Sequence, residues 1–185
     1  ASLGVGKSGG ERVDRATPPA PLVSRDALRL RRRTWTGRPC TPRQVPRVDG
    51  VILVLDAEAV SNLRSPDEKH IDSVRAAIQV AIELKRPVLV PAVVLAELYR
   101  GARENASLDA LLNRDGRLLT KDTSREFARF VGGVLAAAGA DSSDMVDAHC
   151  VATAVERGGG VILTGDAPDM TLLAASYSHV TGAAL

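Results

Sequence analysis

The sequence predicts an α/β protein: a mostly parallel central sheet between helices on both faces, making three layers. Short apolar runs rich in β-branched residues recur at VILVL (51–55), PVLVP (87–91) and VILTG (161–165), as expected of strands covered on both sides. Stretches with helical apolar spacing stand between them, and such alternation implies parallel pairing with helical crossovers. Acidic residues gather at the ends of these runs, most densely in DSSDMVDAHCVATAVERGGGVILTGD (141–166), where an α/β fold brings its loops together.

The elements follow in order. VILVL is the first strand. EKHIDSVRAAIQVAIELK (68–85) sets Ile71, Val74, Ile78, Ala81 and Ile82 on one helical face. PVLVP is a short strand, and AVVLAELYRGAR (92–103) reads as one helix. RLLT (117–120) predicts a further strand, followed by the helix TSREFARFVGGVLAAAG (123–139). VDAHCVATAVERGGG (146–160) reads as a helix stopped by glycines. VILTG enters a glycine turn, and a short helix and SHVTG (178–182) finish the chain. No internal repeat is visible.

Composition narrows the function classes. With 185 residues the chain can build one domain with a sizeable core. Aromatics make up only 3% and apolar residues 45%, so that core must be Val, Ile, Leu and Ala. The apolar runs are too short to cross a bilayer, so no membrane partner is expected. No leader with a small-residue cleavage site opens the chain, and Cys40 and Cys150 make a poor disulfide framework. The expectation is two reduced thiols in a cytoplasmic protein. No Cys/His spacing suggests zinc.

The net charge of +2 conceals two opposed parts. Residues 1–50 carry one Lys and ten Arg against four acids, whereas residues 51–185 carry 13 basic and 18 acidic groups. The first fifty residues lack an apolar period and are rich in Gly, Pro, Ser and Arg, so they read as a disordered basic arm. RLRRR with Trp35 has the chemistry to touch RNA phosphates and stack on a base, but a solvated tail is the simpler reading. Because the sequence does not open with Met, the arm also reads as an extension foreign to the natural protein, whose domain would start near Val51. ASLGVGKS resembles a phosphate-binding loop, but no strand precedes it and GGERVDRATPP is a poor helix.

The chemistry sits in the carboxylates. In open α/β sheets, sites form beyond the carboxyl ends of the strands. Asp56 follows VILVL and Asp166 follows VILTG, so both are candidates for one crevice; each alone would read as a helix N-cap or turn acid. Glu97 lies among Val93, Val94, Leu95 and Leu98, a costly place unless it ligates or pairs with Arg100. Asp147 opens the Ala-rich helix, where it suits the helix dipole. Asp144, one turn earlier, is a cap or a secondary site residue; Asp169 is a turn acid or an outer ligand. Acids about 5 Å apart repel by a few kcal/mol per pair at an effective dielectric near 20. A hard dication removes that cost, and Mg²⁺ or Mn²⁺ takes oxygen ligands without needing Cys or His.

The order and spacing of these motifs resemble PIN-domain ribonucleases, specifically the VapC-like toxins of bacterial toxin–antitoxin pairs, over residues 51–185. VILVLDAEAV resembles the family's first motif, VVLAELYRGA its second, and VDAHCVATAVERGGGVILTGD its third and fourth. The resemblance implies a three-layer α/β/α fold and a site of Asp56, Glu97, Asp147 and Asp166 around Mg²⁺, with Mn²⁺ as a substitute. Thr164 matches a hydroxyl position that would orient a water or ligand. His149 and Cys150 stand where aliphatic residues are usual, and His149 is expected on the helix surface. The implied reaction is hydrolysis of an RNA phosphodiester. The implied partners are an RNA substrate, a cognate antitoxin and a second copy in a homodimer. Arg100, Arg103, Arg114 and Arg117 are candidates to hold flanking phosphates, though solvated surface arginines are the default.

Two other readings remain. LVLDAEAV and TGDAPD resemble haloacid-dehalogenase-type phosphatases, with Asp56 as nucleophile and Glu58 as second acid, but Glu97 and the VDAHCVATA helix then have no role. A PIN-like scaffold that binds RNA or a partner without catalysis is the other, and the presence of all four acids argues against it.

Overall fold

A computed structural model describes residues 51–65, 68–114 and 116–185. The basic arm and the ASLGVGKS stretch lie outside these residues. Chain order is β1 (Ile52–Leu55), α1 (Ala57–Asn62), α2 (Glu68–Glu83), β2 (Val88–Pro91), α3 (Ala92–Leu98), α4 (Ala102–Arg114), β3 (Leu118–Lys121), α5 (Arg125–Ala138), a 3₁₀ turn (Ser142–Asp144), α6 (Met145–Glu156), β4 (Gly160–Thr164), α7 (Ala167–Leu173) and β5 (Val180–Ala184).

The strands form one sheet in the order β3-β2-β1-β4-β5, every pair parallel. The chain thus builds outward from β1 through β2 to β3, then returns to lay β4 on the other side of β1. That reversal makes the β1/β4 boundary a topological switch point, and the crevice opens beyond the carboxyl ends of these two strands. β1, β2 and most of β4 are buried, including Ile52, Val54, Leu55, Leu89 and Ile162, as the continuous apolar runs predict. Each such side chain contributes about 1.5–3 kcal/mol on burial, and among the described residues the buried core is aliphatic apart from Phe127, Cys150 and Met170.

Parallel strands force each connecting helix to run back against the sheet, so a helix that precedes a strand starts at the sheet's carboxyl edge. This places the first turn of α6 near the ends of β1 and β4; α6 packs on β1, β2, β4 and β5. Gly158, at φ 86°, takes the left-handed conformation just past the end of α6 and so stops it.

Two expectations need correction. The stretch 92–103 is not one helix. Tyr99 is extended (φ −76°, ψ 94°) and ends α3, and a longer helix, α4, starts at Ala102. Side-chain bonds compete with helix continuity here: the Tyr99 hydroxyl donates to Asp109 Oδ1 at 2.6 Å, and the Gly101 amide donates to Asn105 Oδ1 at 3.3 Å. His149 is not on the helix surface but buried at 6% exposure. Its Nδ1 donates to the Met145 carbonyl at 2.7 Å and its ring meets the Phe127 ring edge-on. That bond satisfies the ring's polar edge, so α5 can cover it.

Candidate active site

Asp56 caps α1. It is 7% exposed, and one carboxylate oxygen accepts from the Ala59 amide at 2.7 Å. Its own amide donates to the Leu163 carbonyl at 3.2 Å, which ties it to β4. Asp166 caps α7 in the same way, accepting from the Asp169 amide at 3.2 Å. Its amide donates to the buried Thr164 hydroxyl at 3.0 Å. Capping uses one of each carboxylate's two oxygens and fixes the side chain's direction.

Asp147 lies in the first turn of α6 and is half-buried. Its carboxyl is pushed up from the ordinary 3.8 to about 6, first by burial, then by the charges of Asp56, Asp144, Glu97 and Asp166. Five acids from four separated stretches of chain, Asp144 and Asp147 sharing one, therefore lie in one electrostatic neighbourhood. The buried Cys150 thiol reports the same: it is pushed up by burial and then by Asp56, Asp147 and Glu97.

Glu97 is exposed rather than buried among its apolar neighbours, and no ion pair joins it to Arg100. Asp144 sits in the 3₁₀ turn and accepts from the Asp141 amide at 3.3 Å, so it is at once a structural acid and a charge felt by Asp147. Asp141 belongs to the capping of that turn, where the Ser143 amide and hydroxyl hold its carboxyl below the usual range. Asp169 is exposed in the first turn of α7 and contributes its amide to Asp166.

The donor set suits a hard dication in kind, being all oxygen, and in charge, being an excess of unneutralised carboxylate. The arrangement is open: among the described residues, no group of three or more His, Cys, Asp or Glu is drawn together tightly enough to hold a metal ion as it stands.

Glu58 is an acid that the nuclease reading of the sequence passed over. It stands in the first turn of α1, and its carboxylate lies against Gly165, where a Cβ would collide with it. Its position two residues after Asp56 was the available signal. Arg114 and Arg117 line a hollow of about 630 Å³ between α2, α4 and the start of β3, together with Arg75, Ile78 and Leu111; none of the site acids lines it.

The PIN domain family pattern matches residues 53–168. Among solved structures, that of VapBC2 from Rickettsia felis bound to a DNA fragment from its promoter aligns with a TM-score of 0.52 at 17% identity, covering 73% of this chain and 99% of that one. The DNA-bound VapBC of Salmonella typhimurium aligns with a TM-score of 0.48 at 15% identity, covering 73% and 98%. The first alignment shows a shared fold. No curated protein matches in sequence.

Proposed function

This chain belongs to the PIN-domain family, and from that premise we propose that it is a metal-dependent endoribonuclease, the toxin of a toxin–antitoxin pair. Asp56, Glu97, Asp147 and Asp166 would hold Mg²⁺, or Mn²⁺ in its place, with Asp144 and Asp169 in supporting positions. The observation that carries this reading is the convergence of Asp56, Glu97 and Asp166, from three other elements, on the half-buried Asp147, whose carboxyl is raised by burial and then by their charges and that of its near neighbour Asp144.

A bound dication would supply a water of lowered pKa and offset charge growing on the phosphorane-like transition state. The chain's own part is positioning. The caps on α1 and α7 aim Asp56 and Asp166, and Thr164 fixes the turn that carries Asp166. A carboxylate of the set would accept the proton of the attacking water. Without a cation the acidic pocket repels RNA, so metal also serves substrate binding.

The family resemblance and the VapBC alignment support an antitoxin as partner; a guanidinium from it would replace the cation's charge among the acids. Homodimerisation and a cytoplasmic setting belong to the same proposal. Among the described residues, no helix is long and apolar enough to cross a membrane. The phosphatase reading gives way to the family assignment.

The test is incubation of the full chain with total RNA, with Mg²⁺ or with chelator. Chelator-sensitive cleavage is expected, reduced at least about 100-fold in Glu97→Gln and Asp147→Asn. RNA binding without cleavage would favour the scaffold reading, and cleavage untouched by either substitution would overturn the assigned site.

A further inference from the structure

We propose that the Tyr99–Asp109 hydrogen bond is a latch that holds the chain's own Arg100 away from Glu97 and so leaves the Glu97 charge to the acid pocket. The inference rests on the nuclease reading of that pocket given above, and it makes Tyr99 and Asp109 positioning residues. The Tyr99 amide still donates to the Leu95 carbonyl at 2.9 Å, so the helical ladder of α3 is intact as far as that residue. The chain leaves the helix at Tyr99 itself, where ψ is 94°. From there the Tyr99 hydroxyl donates to Asp109 Oδ1, in the middle of α4, at 2.6 Å.

Local sequence does not impose this exit. No proline stands between Leu98 and α4, and Gly101 lowers helix propensity without forbidding a helix. One more turn of α3 would set Arg100 on the Glu97 face, with Cβ atoms about 5–6 Å apart, where the two would pair. That pair is not formed. Glu97 and Arg100 are both exposed, and among the described residues no ion pair joins them. A short bond from a hydroxyl to a carboxylate is charge-assisted, whereas an ion pair between exposed side chains contributes little in water, so the latch wins. The outcome matters for chemistry because the Glu97 charge reaches both Asp147 and the buried Cys150. A guanidinium drawn in beside Glu97 would oppose a dication there, as an antitoxin's would.

The experiment compares Tyr99→Phe, Asp109→Ala and Asp109→Asn in the full chain, each also in an Arg100→Gln background, with circular dichroism melting to confirm the fold. In chelator, the Cα chemical shifts of residues 99 and 100 read the backbone independently of activity. Tyr99→Phe and Asp109→Ala should move both shifts toward helical values. Asp109→Asn keeps an acceptor for the hydroxyl and should leave them in place. With Mg²⁺, Tyr99→Phe should lower kcat/KM for RNA cleavage about tenfold, as expected of a single and a double positive charge about 6 Å apart at the dielectric of water. Against Arg100→Gln, whatever that substitution does alone, the loss should shrink to less than about twofold, because the coupled partner is gone. Unchanged shifts in Tyr99→Phe would overturn the latch. Helical shifts with undiminished cleavage, or with an equal loss in the Arg100→Gln background, would overturn the part given to Arg100. A parent that cleaves no RNA would overturn the nuclease reading, and the chemical shifts would still decide whether the latch holds the chain.

Discussion

The Thr164 hydroxyl accepts a hydrogen bond from the Asp166 amide at 3.0 Å, which fixes the turn between the end of β4 and the acid that caps α7. Thr164 is almost wholly buried, so valine would fit its space but leave that amide without its acceptor. Thr164→Val should cost about 1 kcal/mol in denaturant unfolding and lower RNA cleavage, while Thr164→Ser restores both. Full activity in Thr164→Val would show that the hydroxyl does not position Asp166.

The Asp147 carboxyl gives the metal-free protein a distinctive pH dependence. Its folded-state value of about 6 exceeds the ordinary 3.8, so the folded protein holds this proton more tightly than the unfolded chain does. Charging Asp147 therefore opposes folding. The opposition is complete above about pH 6 and is relieved as pH falls toward 3.8. In chelator, Asp147→Asn is expected to melt above the parent at neutral pH and to lose that advantage near pH 4, a value set by the ordinary carboxylate range. A parent that melts higher at neutral pH would contradict the crowding of acids.

Added cation should reverse the order. A ligand at about 100 times its dissociation constant stabilises the folded state by about 2.7 kcal/mol. Thermal melts in Mg²⁺ or Mn²⁺ should show the parent gaining and Asp147→Asn gaining little. Sodium chloride at equal ionic strength serves as control, since general screening acts on both proteins.

Gly160 opens β4 where β1 and α6 close on it. A Cβ there would meet Ile52 Cγ1 at 2.9 Å, the Ile52 carbonyl at 3.0 Å and Ala154 Cβ at 3.2 Å. Gly160→Ala should destabilise by about 1–3 kcal/mol, as overpacking does. Gly132→Ala on the exposed side of α5, where nothing lies within 4 Å, should instead stabilise by about 0.5–1 kcal/mol. Chemical denaturation of the two variants reads the opposite signs directly.

The sheet was legible in the sequence because a strand buried on both faces must be apolar throughout. VILVL, PVLVP and VILTG are β1, β2 and β4 to within a residue. Asp56 and Asp166 were legible for a related reason, since an acid directly after such a run stands at the sheet's edge. The interruption at 99–101 was not, because AVVLAELYRGAR carries no proline and its helix is broken by Tyr99 and Gly101 bonding to Asp109 and Asn105, further along the chain. His149 was misread because polarity suggested a surface. The bond to Met145 and the Phe127 ring that make its burial tolerable come from its own helix turn and from α5.

The sequence by itself determined which segments are strands and helices and which acids stand at their ends, because hydrophobic periodicity acts over a few residues. Tertiary structure decided which ends meet. Only the order β3-β2-β1-β4-β5 sets β4 beside β1, gathers the charges around Asp147 and brings Glu58 onto Gly165. Apart from Asp144, one turn before Asp147, those neighbours lie from 19 to more than 100 residues apart, where pairing across the sheet rather than local preference fixes distance.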